Sequence, residues 1–109
     1  MLRSPRDFSV LQSQGRGRTH PLVAVRVRRN GLDQDRFGIS TGKRVGDAVV
    51  RNRVRRRLRE ILRAWDHSGT VRWDILIVAR PGSAGASFGE LQAALLKLLS
   101  QTITKEGYA

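Results

Sequence analysis

The chain contains no cysteine. That absence excludes a disulfide framework and any metal site built on thiolates. Acids are scarce: nine Asp and Glu stand against 21 Lys and Arg, a formal net charge of +12. Aromatic residues make up only 6% of the sequence, so a wide stacking platform cannot be assembled from them. Long apolar stretches are missing as well. The longest run, Ile75 to Ala79, is far short of the roughly 20 residues needed to span a bilayer. The opening MLRSPRDFSV has no apolar segment of the secretory type. These absences predict a cytoplasmic protein with no membrane partner. What is present is 39% hydrophobic residue in 109 positions, enough for one small folded domain over 1–109. A domain with this charge imbalance repels itself unless a polyanion offsets the field, and nucleic acid is the commonest such partner.

Local patterns give the element order. Ser4-Pro5-Arg6-Asp7 reads as a helix start: a capping Ser, a Pro at the first helical position and an acid at the positive end of the dipole. Phe8 and Leu11 share a face of that helix, Gly15 stops it, and GRGRTHP follows as a loop. Leu22 to Arg28 alternates valines with Ala24, Arg26 and Arg28, the period of a half-buried strand. Beyond Asn30-Gly31 and a loop, Phe37, Ile39 and Thr41 mark a second strand, expected to run antiparallel to the first. The continuous run WDILIVA, Trp73 to Ala79, predicts a central strand covered on both faces. RPGSAGA reads as a loop. Ser87-Phe88-Gly89-Glu90 matches a capping box, and Leu91, Leu95, Leu98 and Leu99 form the core stripe of a last helix. The predicted fold is α+β in the order α-β-β-α-β-α, with helices packed on a small mixed sheet.

Between the second and third strands lies RNRVRRRLRE, with six arginines in residues 51–60 and a seventh at Arg63. At about 100° per residue, Val50, Val54, Leu58, Ile61, Leu62 and Trp65 fall in one sector of a helix from Ala48 to Trp65. Asn52, Arg56, Arg59 and Arg63 fall opposite, Arg53, Arg55 and Arg57 lie on the flanks, and Arg51 lies beside the apolar sector. A helix that only solubilises mixes charge signs, whereas Glu60 is the one acid between Ala48 and Trp65. Arginine also favours phosphate, because its planar guanidinium makes paired bonds to phosphate oxygens. The string has some likeness to a leucine-zipper basic region, but no heptad seam follows Trp65.

The stretch FGISTGKRVGDAVVRNRVRRRLREILR, followed by WDILIVARPG, resembles the protein component of bacterial ribonuclease P. The resemblance is carried by the basic turn Lys43-Arg44, by Gly46, Ala48 and Val49, and by the helix residues Arg51, Asn52, Arg53, Arg56, Arg57, Arg59 and Glu60. It extends from Arg6-Asp7-Phe8 to the terminal helix. It implies a left-handed βαβ crossover, as in the ribosomal protein S5 domain 2-like fold. It implies a non-catalytic protein subunit of an endoribonuclease whose RNA carries the chemistry: metal-dependent removal of the 5′ leader of precursor tRNA. The implied contacts to ribonuclease P RNA are Lys43, Arg44, Arg51, Asn52, Arg53, Arg55, Arg56, Arg57, Arg59 and Arg63. Those to the leader are Arg6, Phe8, Arg16 and Arg18. Mg2+ is expected to be held mainly by the RNA, some of it near Arg51 and Asn52, with none bound by the protein alone. The expected assembly is one protein monomer per RNA, with precursor tRNA as substrate. The sequence departs from the pattern where Val25 and Gln12 stand at positions that many relatives fill with aromatics.

The residues themselves agree with a non-catalytic role. His20 and His67 are the only histidines, and no pair of acids converges in sequence for acid–base work. Asp7, Asp47 and Asp74 each have a local explanation, in a first turn, as a helix cap and at a strand start. No catalytic residue and no protein metal site is therefore predicted. Two other readings stay open on the residues alone: a small ribosomal or ribosome-associated protein, and a protein-only nuclease.

Overall fold

The computed structural model describes residues 16–65, 71–104 and 107–108. The expected first helix, with Phe8 and Leu11, lies outside them, as does His67. Four strands form one sheet: β1 (Arg16–Thr19), β2 (Val23–Arg29), β3 (Arg36–Thr41) and β4 (Trp73–Ala79). Helix α1 (Ala48–Ala64) joins β3 to β4, and α2 (Phe88–Thr102) follows β4. Two short 3-10 turns, Lys43–Val45 and Pro81–Gly85, precede the two helices. A minimal hairpin, β5 (Ile103–Thr104) with β6 (Gly107–Tyr108), ends the described chain.

The sheet order is β1-β2-β4-β3. β4 is central, antiparallel to β2 and parallel to β3. Its continuous apolar run follows from that position: Trp73, Asp74, Ile75, Leu76, Ile77 and Ala79 are all buried. β3 runs opposite to β2, as expected, but the two are not neighbours, because β4 inserts between them. The six residues from Asn30 to Asp35 therefore bridge to a non-adjacent strand instead of closing a hairpin. β3, α1 and β4 make a parallel βαβ crossover.

One strand was not predicted. Arg16–Thr19, read from sequence as loop, pairs residue for residue with Val27 back to Ala24. All four of its residues are exposed, so this edge strand carries no apolar alternation by which to recognise it. The segment RPGSAGA likewise contains a 3-10 turn where a plain loop was expected.

Strand register divides the sheet into two faces. Val23, Val25 and Val27 stand opposite Ala79, Ile77 and Ile75, and these residues face α1 and α2. The core they form with Val54, Leu58 and Ile61 of α1 and Leu91, Leu95 and Leu99 of α2 is almost free of solvent. Each large buried side chain of this kind contributes on the order of 1.5–3 kcal/mol relative to exposure. Leu58 is fully buried at the middle of α1. Leu58→Ala is expected to lower unfolding free energy by about 2–5 kcal/mol, measured by urea denaturation. A change within 0.5 kcal/mol (about the surface-mutation range) would show that the helix is not anchored there.

The start of α1 is fixed by two adjacent residues. Gly46 adopts φ 156°, and a Cβ there would lie 2.8 Å from the Cβ of Val50. Only glycine lets the chain turn so tightly into the helix. Asp47 then caps it, its carboxylate accepting the Val50 N–H at 3.0 Å. In α2 both halves of the predicted capping box form, Ser87 Oγ with the Glu90 N–H and the Glu90 carboxylate with the Ser87 N–H. Those bonds hold the Glu90 carboxyl below the usual carboxylate range.

Candidate nucleic-acid interface

Helix α1 is pinned to the core by Val54, Leu58, Ile61 and Leu62, with Val50 and Trp65 partly buried at its ends. Trp65 packs edge to face on Phe37 of β3, ring centroids 6.0 Å apart. With that sector fixed, the arginines sort into three groups. Arg56 and Arg59 are exposed, and neither has a hydrogen bond or ion pair among the described residues. Lys43 and Arg44, on the 3-10 turn ahead of the helix, are exposed as well. Arg63 is exposed but donates to Glu60 at 2.8 Å, a surface pair that contributes little.

The flanking arginines differ from the outward row that the helical spacing suggests. Arg53 donates to the Ala84 carbonyl at 2.8 Å and Arg57 to the Ala86 carbonyl at 3.0 Å. Both are half-buried. Four residues apart on one helix side, they reach carbonyls that the Pro81–Gly85 turn leaves unused, and so clip that turn to α1. Arg55 donates to the Thr41 hydroxyl at 2.6 Å and to Asn52 Oδ1 at 3.1 Å. Arg51 is half-buried beside the apolar sector, with its Nε excluded from water and unbonded. A guanidinium has five N–H donors, so one or two internal bonds leave the clipped arginines able to donate outward.

Of the expected leader contacts, Arg16 and Arg18 lie exposed on β1, and Arg6 and Phe8 lie outside the described residues. Val25 turns its side chain toward the helices and is completely buried. On the opposite sheet face, an open groove of about 210 Å³ runs along Gly17, Arg18, Thr19, Arg26, Leu76 and Val78. Gly17 makes room there: a Cβ would lie 2.9 Å from the Arg26 side chain. Arg26 and Arg28 were not singled out from sequence, although the alternation with Val25 and Val27 already set them on the other face. Phe88 is an aromatic 39% exposed at the start of α2, and its capping-box position carries no sequence signal of that exposure.

Asp74, Asp35 and His20 each have a structural partner. Asp74 is buried at the start of β4, where Arg36 grips it with two bonds of 2.8 and 2.7 Å and Asn30 adds a third at 3.2 Å. Burial pushes its carboxyl up, but the Arg36 and Asn30 bonds and the charges of Arg36 and Arg28 outweigh this and hold it below the usual range. Asp35 accepts the Trp73 N–H at 2.8 Å. His20 Nδ1 accepts the Leu22 N–H at 3.1 Å, which makes it a turn residue. Among the described residues no three His, Cys, Asp or Glu gather as metal ligands. Near Arg51, Asn52 Oδ1 accepts from Arg55 and Asp47 Oδ1 accepts the Val50 N–H. No helix of the described residues is long and apolar enough to cross a membrane.

Fold and surface together define a small, strongly basic α+β domain that presents a rigid cationic helix. Comparison with known proteins gives the same answer in sequence and in shape. The sequence profile of the ribonuclease P family matches residues 1–103. The ribonuclease P protein component of Herpetosiphon aurantiacus is 37% identical over 100 residues, covering 92% of this chain and 81% of that one. That of Gluconacetobacter diazotrophicus is 37% identical over 108 residues, covering 97% and 90%. Among solved structures, the Thermotoga maritima RNase P protein superposes with a TM-score of 0.81 at 30% identity, covering 89% of this chain and 94% of that one. The Staphylococcus aureus RNase P protein does so with a TM-score of 0.81 at 27% identity, covering 90% of each. The chain belongs to the ribonuclease P protein family. As a protein component of that tRNA-processing endoribonuclease, it partners the ribonuclease P RNA.

Proposed function

We propose that the chain docks on ribonuclease P RNA through α1 and the turn before it, and holds the 5′ leader of precursor tRNA beside the sheet. The observation that carries this reading is the pair Arg56 and Arg59, exposed on a buried support and unpaired among the described residues, with Lys43 and Arg44 at its head. Arg51, Asn52, Arg53, Arg55, Arg57 and Arg63 complete the RNA-facing set, the clipped members through their remaining donors. Leader contacts fall to Arg6, Phe8, Arg16 and Arg18, joined by Arg26 in the adjacent groove; basic grooves with occasional stacking hold single strands in this way. The RNA carries out the hydrolysis of one phosphodiester and supplies most of the ligands for Mg2+. The protein positions the two RNAs and screens their mutual repulsion as a cytoplasmic monomer, one per RNA.

Reconstitution tests this. Chain and ribonuclease P RNA together, with magnesium at physiological ionic strength, should release a mature 5′ end from precursor tRNA, and the chain alone should not. Cleavage by the chain alone would overturn the division of labour. In the same assay Phe8→Ala should weaken binding of leader-bearing tRNA by about 5–30-fold, the size of one lost stacking contact, and leave mature tRNA unaffected. Equal losses for both would assign Phe8 to the core.

A further inference from the structure

At the end of the sheet where β1 and β4 stop and β2 begins, an open cavity of about 440 Å³ is lined by Thr19, His20, Pro21, Arg80, Pro81 and Gly82. No carboxylate is among them. The backbone of this cavity is held from several sides. Arg80 donates its N–H to the Leu22 carbonyl at 3.0 Å, while its own carbonyl accepts the Ser83 N–H at 2.9 Å and the Ser83 hydroxyl at 2.6 Å. Ser83 is fully buried. His20 donates its N–H to the Val23 carbonyl at 2.8 Å. Because His20 Nδ1 accepts the Leu22 N–H, the proton of the neutral ring sits on Nε2, which is left as a donor. Gly82 lets the two loops approach: a Cβ there would lie 3.0 Å from the Pro21 carbonyl oxygen and 3.2 Å from the Leu22 side chain. The Arg80 side chain contrasts with this fixed backbone. It is exposed and has no acceptor among the described residues.

We propose that this cavity binds a phosphate of an RNA backbone, with the Arg80 guanidinium, the His20 Nε2–H and the Thr19 hydroxyl as donors. Its place in the fold favours that ligand. Ala79, the residue before Arg80, pairs with Thr41 of β3, and Lys43 and Arg44 follow directly on the turn ahead of α1. The Lys43–Val45 and Pro81–Gly85 turns pack on each other. The Arg53 and Arg57 clips then brace the Pro81–Gly85 turn against α1. Three cations are thus set on one end of the sheet, rigidly joined to the helix. An arginine with an anchored backbone and a free planar head binds phosphate oxygens in pairs at little ordering cost. The proposal rests on the RNA-docking reading and extends it to a residue beyond the arginine helix.

The test compares Arg80→Gln and Arg80→Lys with the Arg56→Glu, Arg59→Glu double variant. Binding to ribonuclease P RNA is measured across a salt series, as is binding of the assembled complex to tRNA with and without a leader. Circular dichroism melts confirm that each variant folds; Arg80 is exposed, so its replacement should leave the melting midpoint nearly unchanged. Arg80→Gln should weaken binding to ribonuclease P RNA about 5-fold and reduce the salt slope by about one, the signature of one lost phosphate contact. Arg80→Lys, which keeps the charge, should retain most of the slope. A loss confined to leader-bearing tRNA also supports the site and assigns the phosphate to the leader. Unchanged affinity and slope toward both RNAs overturn it. If the Arg56, Arg59 variant is impaired while Arg80→Gln is not, only the cavity assignment falls; if neither is impaired, the docking reading falls with it.

Discussion

Reversing charge at Arg56 and Arg59 together should weaken binding to ribonuclease P RNA by about 100-fold or more at physiological salt and reduce the salt slope by about two. Both side chains stand clear of the protein, with no acid or carbonyl of the described chain engaging them. On the proposed docking, replacing them should therefore remove two phosphate contacts and leave the scaffold intact. Each contact contributes through release of condensed counterions, so the loss shrinks as salt rises. The glutamates add repulsion from the RNA, so the double reversal should exceed a double alanine variant. Filter binding at several salt concentrations reads both quantities. Wild-type affinity and slope in the reversed protein would remove α1 from the docking surface. Arg53 and Arg57 provide the contrast. Their alanine variants should lower the melting temperature as well as the affinity, because their guanidiniums hold the Pro81–Gly85 turn.

The division between freely exposed and clipped arginines shows where sequence reading reaches its limit. Helical spacing places Val54, Leu58, Ile61 and Leu62 on the core and Arg56 and Arg59 opposite them, and both placements hold in the structure. The spacing says nothing of what lies beside the flanks. The carbonyls of Ala84 and Ala86 come from a turn some thirty positions away, brought alongside by the sheet order. The same physical reason explains the strands. β4 announces itself because burial on both faces demands a continuous apolar run, and β2 because one face is buried. β1 pairs through its backbone on an exposed edge, and backbone hydrogen bonds leave no mark on side-chain pattern. The insertion of β4 between β2 and β3 is also unmarked locally, since it depends on the crossover through α1. Arg80 looks like part of a plain loop for a related reason: the cavity beside it needs the His20-Pro21 turn, distant in sequence and brought alongside by the pairing of β2 with β4.

Asp74→Ala should destabilise the fold by about 3 kcal/mol at neutral pH, in the range for removing one partner of a buried ion pair. The Asp74 side chain is only 5% exposed and Arg36 is 31% exposed, so solvent screens the abandoned guanidinium partly but not fully. The consequence reaches the docking surface through the chain path. Asp74 is the second residue of β4 and Arg36 the first of β3, and their two hydrogen bonds tie together the strands between which α1 crosses. The sign of the pH dependence follows from the lowered pKa of Asp74. Burial raises the pKa of the Asp74 carboxyl, the bonds from Arg36 and Asn30 and the nearby guanidinium charges lower it by more, and the net folded value lies below the unfolded one. The unfolded chain therefore binds the proton more readily, and the ion pair contributes its full stability above the unfolded value of about 3.9. That contribution fades as pH falls through the folded value. Urea unfolding at neutral pH and in steps down through the carboxylate range should thus show the gap between wild type and Asp74→Asn closing on acidification. In the double variant Arg36→Met, Asp74→Leu, which replaces both charges with apolar groups, stability should recover to within about 1–2 kcal/mol of wild type. A gap between wild type and Asp74→Asn that stays constant with pH would mean that Asp74 holds β3 to β4 by shape and neutral hydrogen bonding, with its charge playing no part.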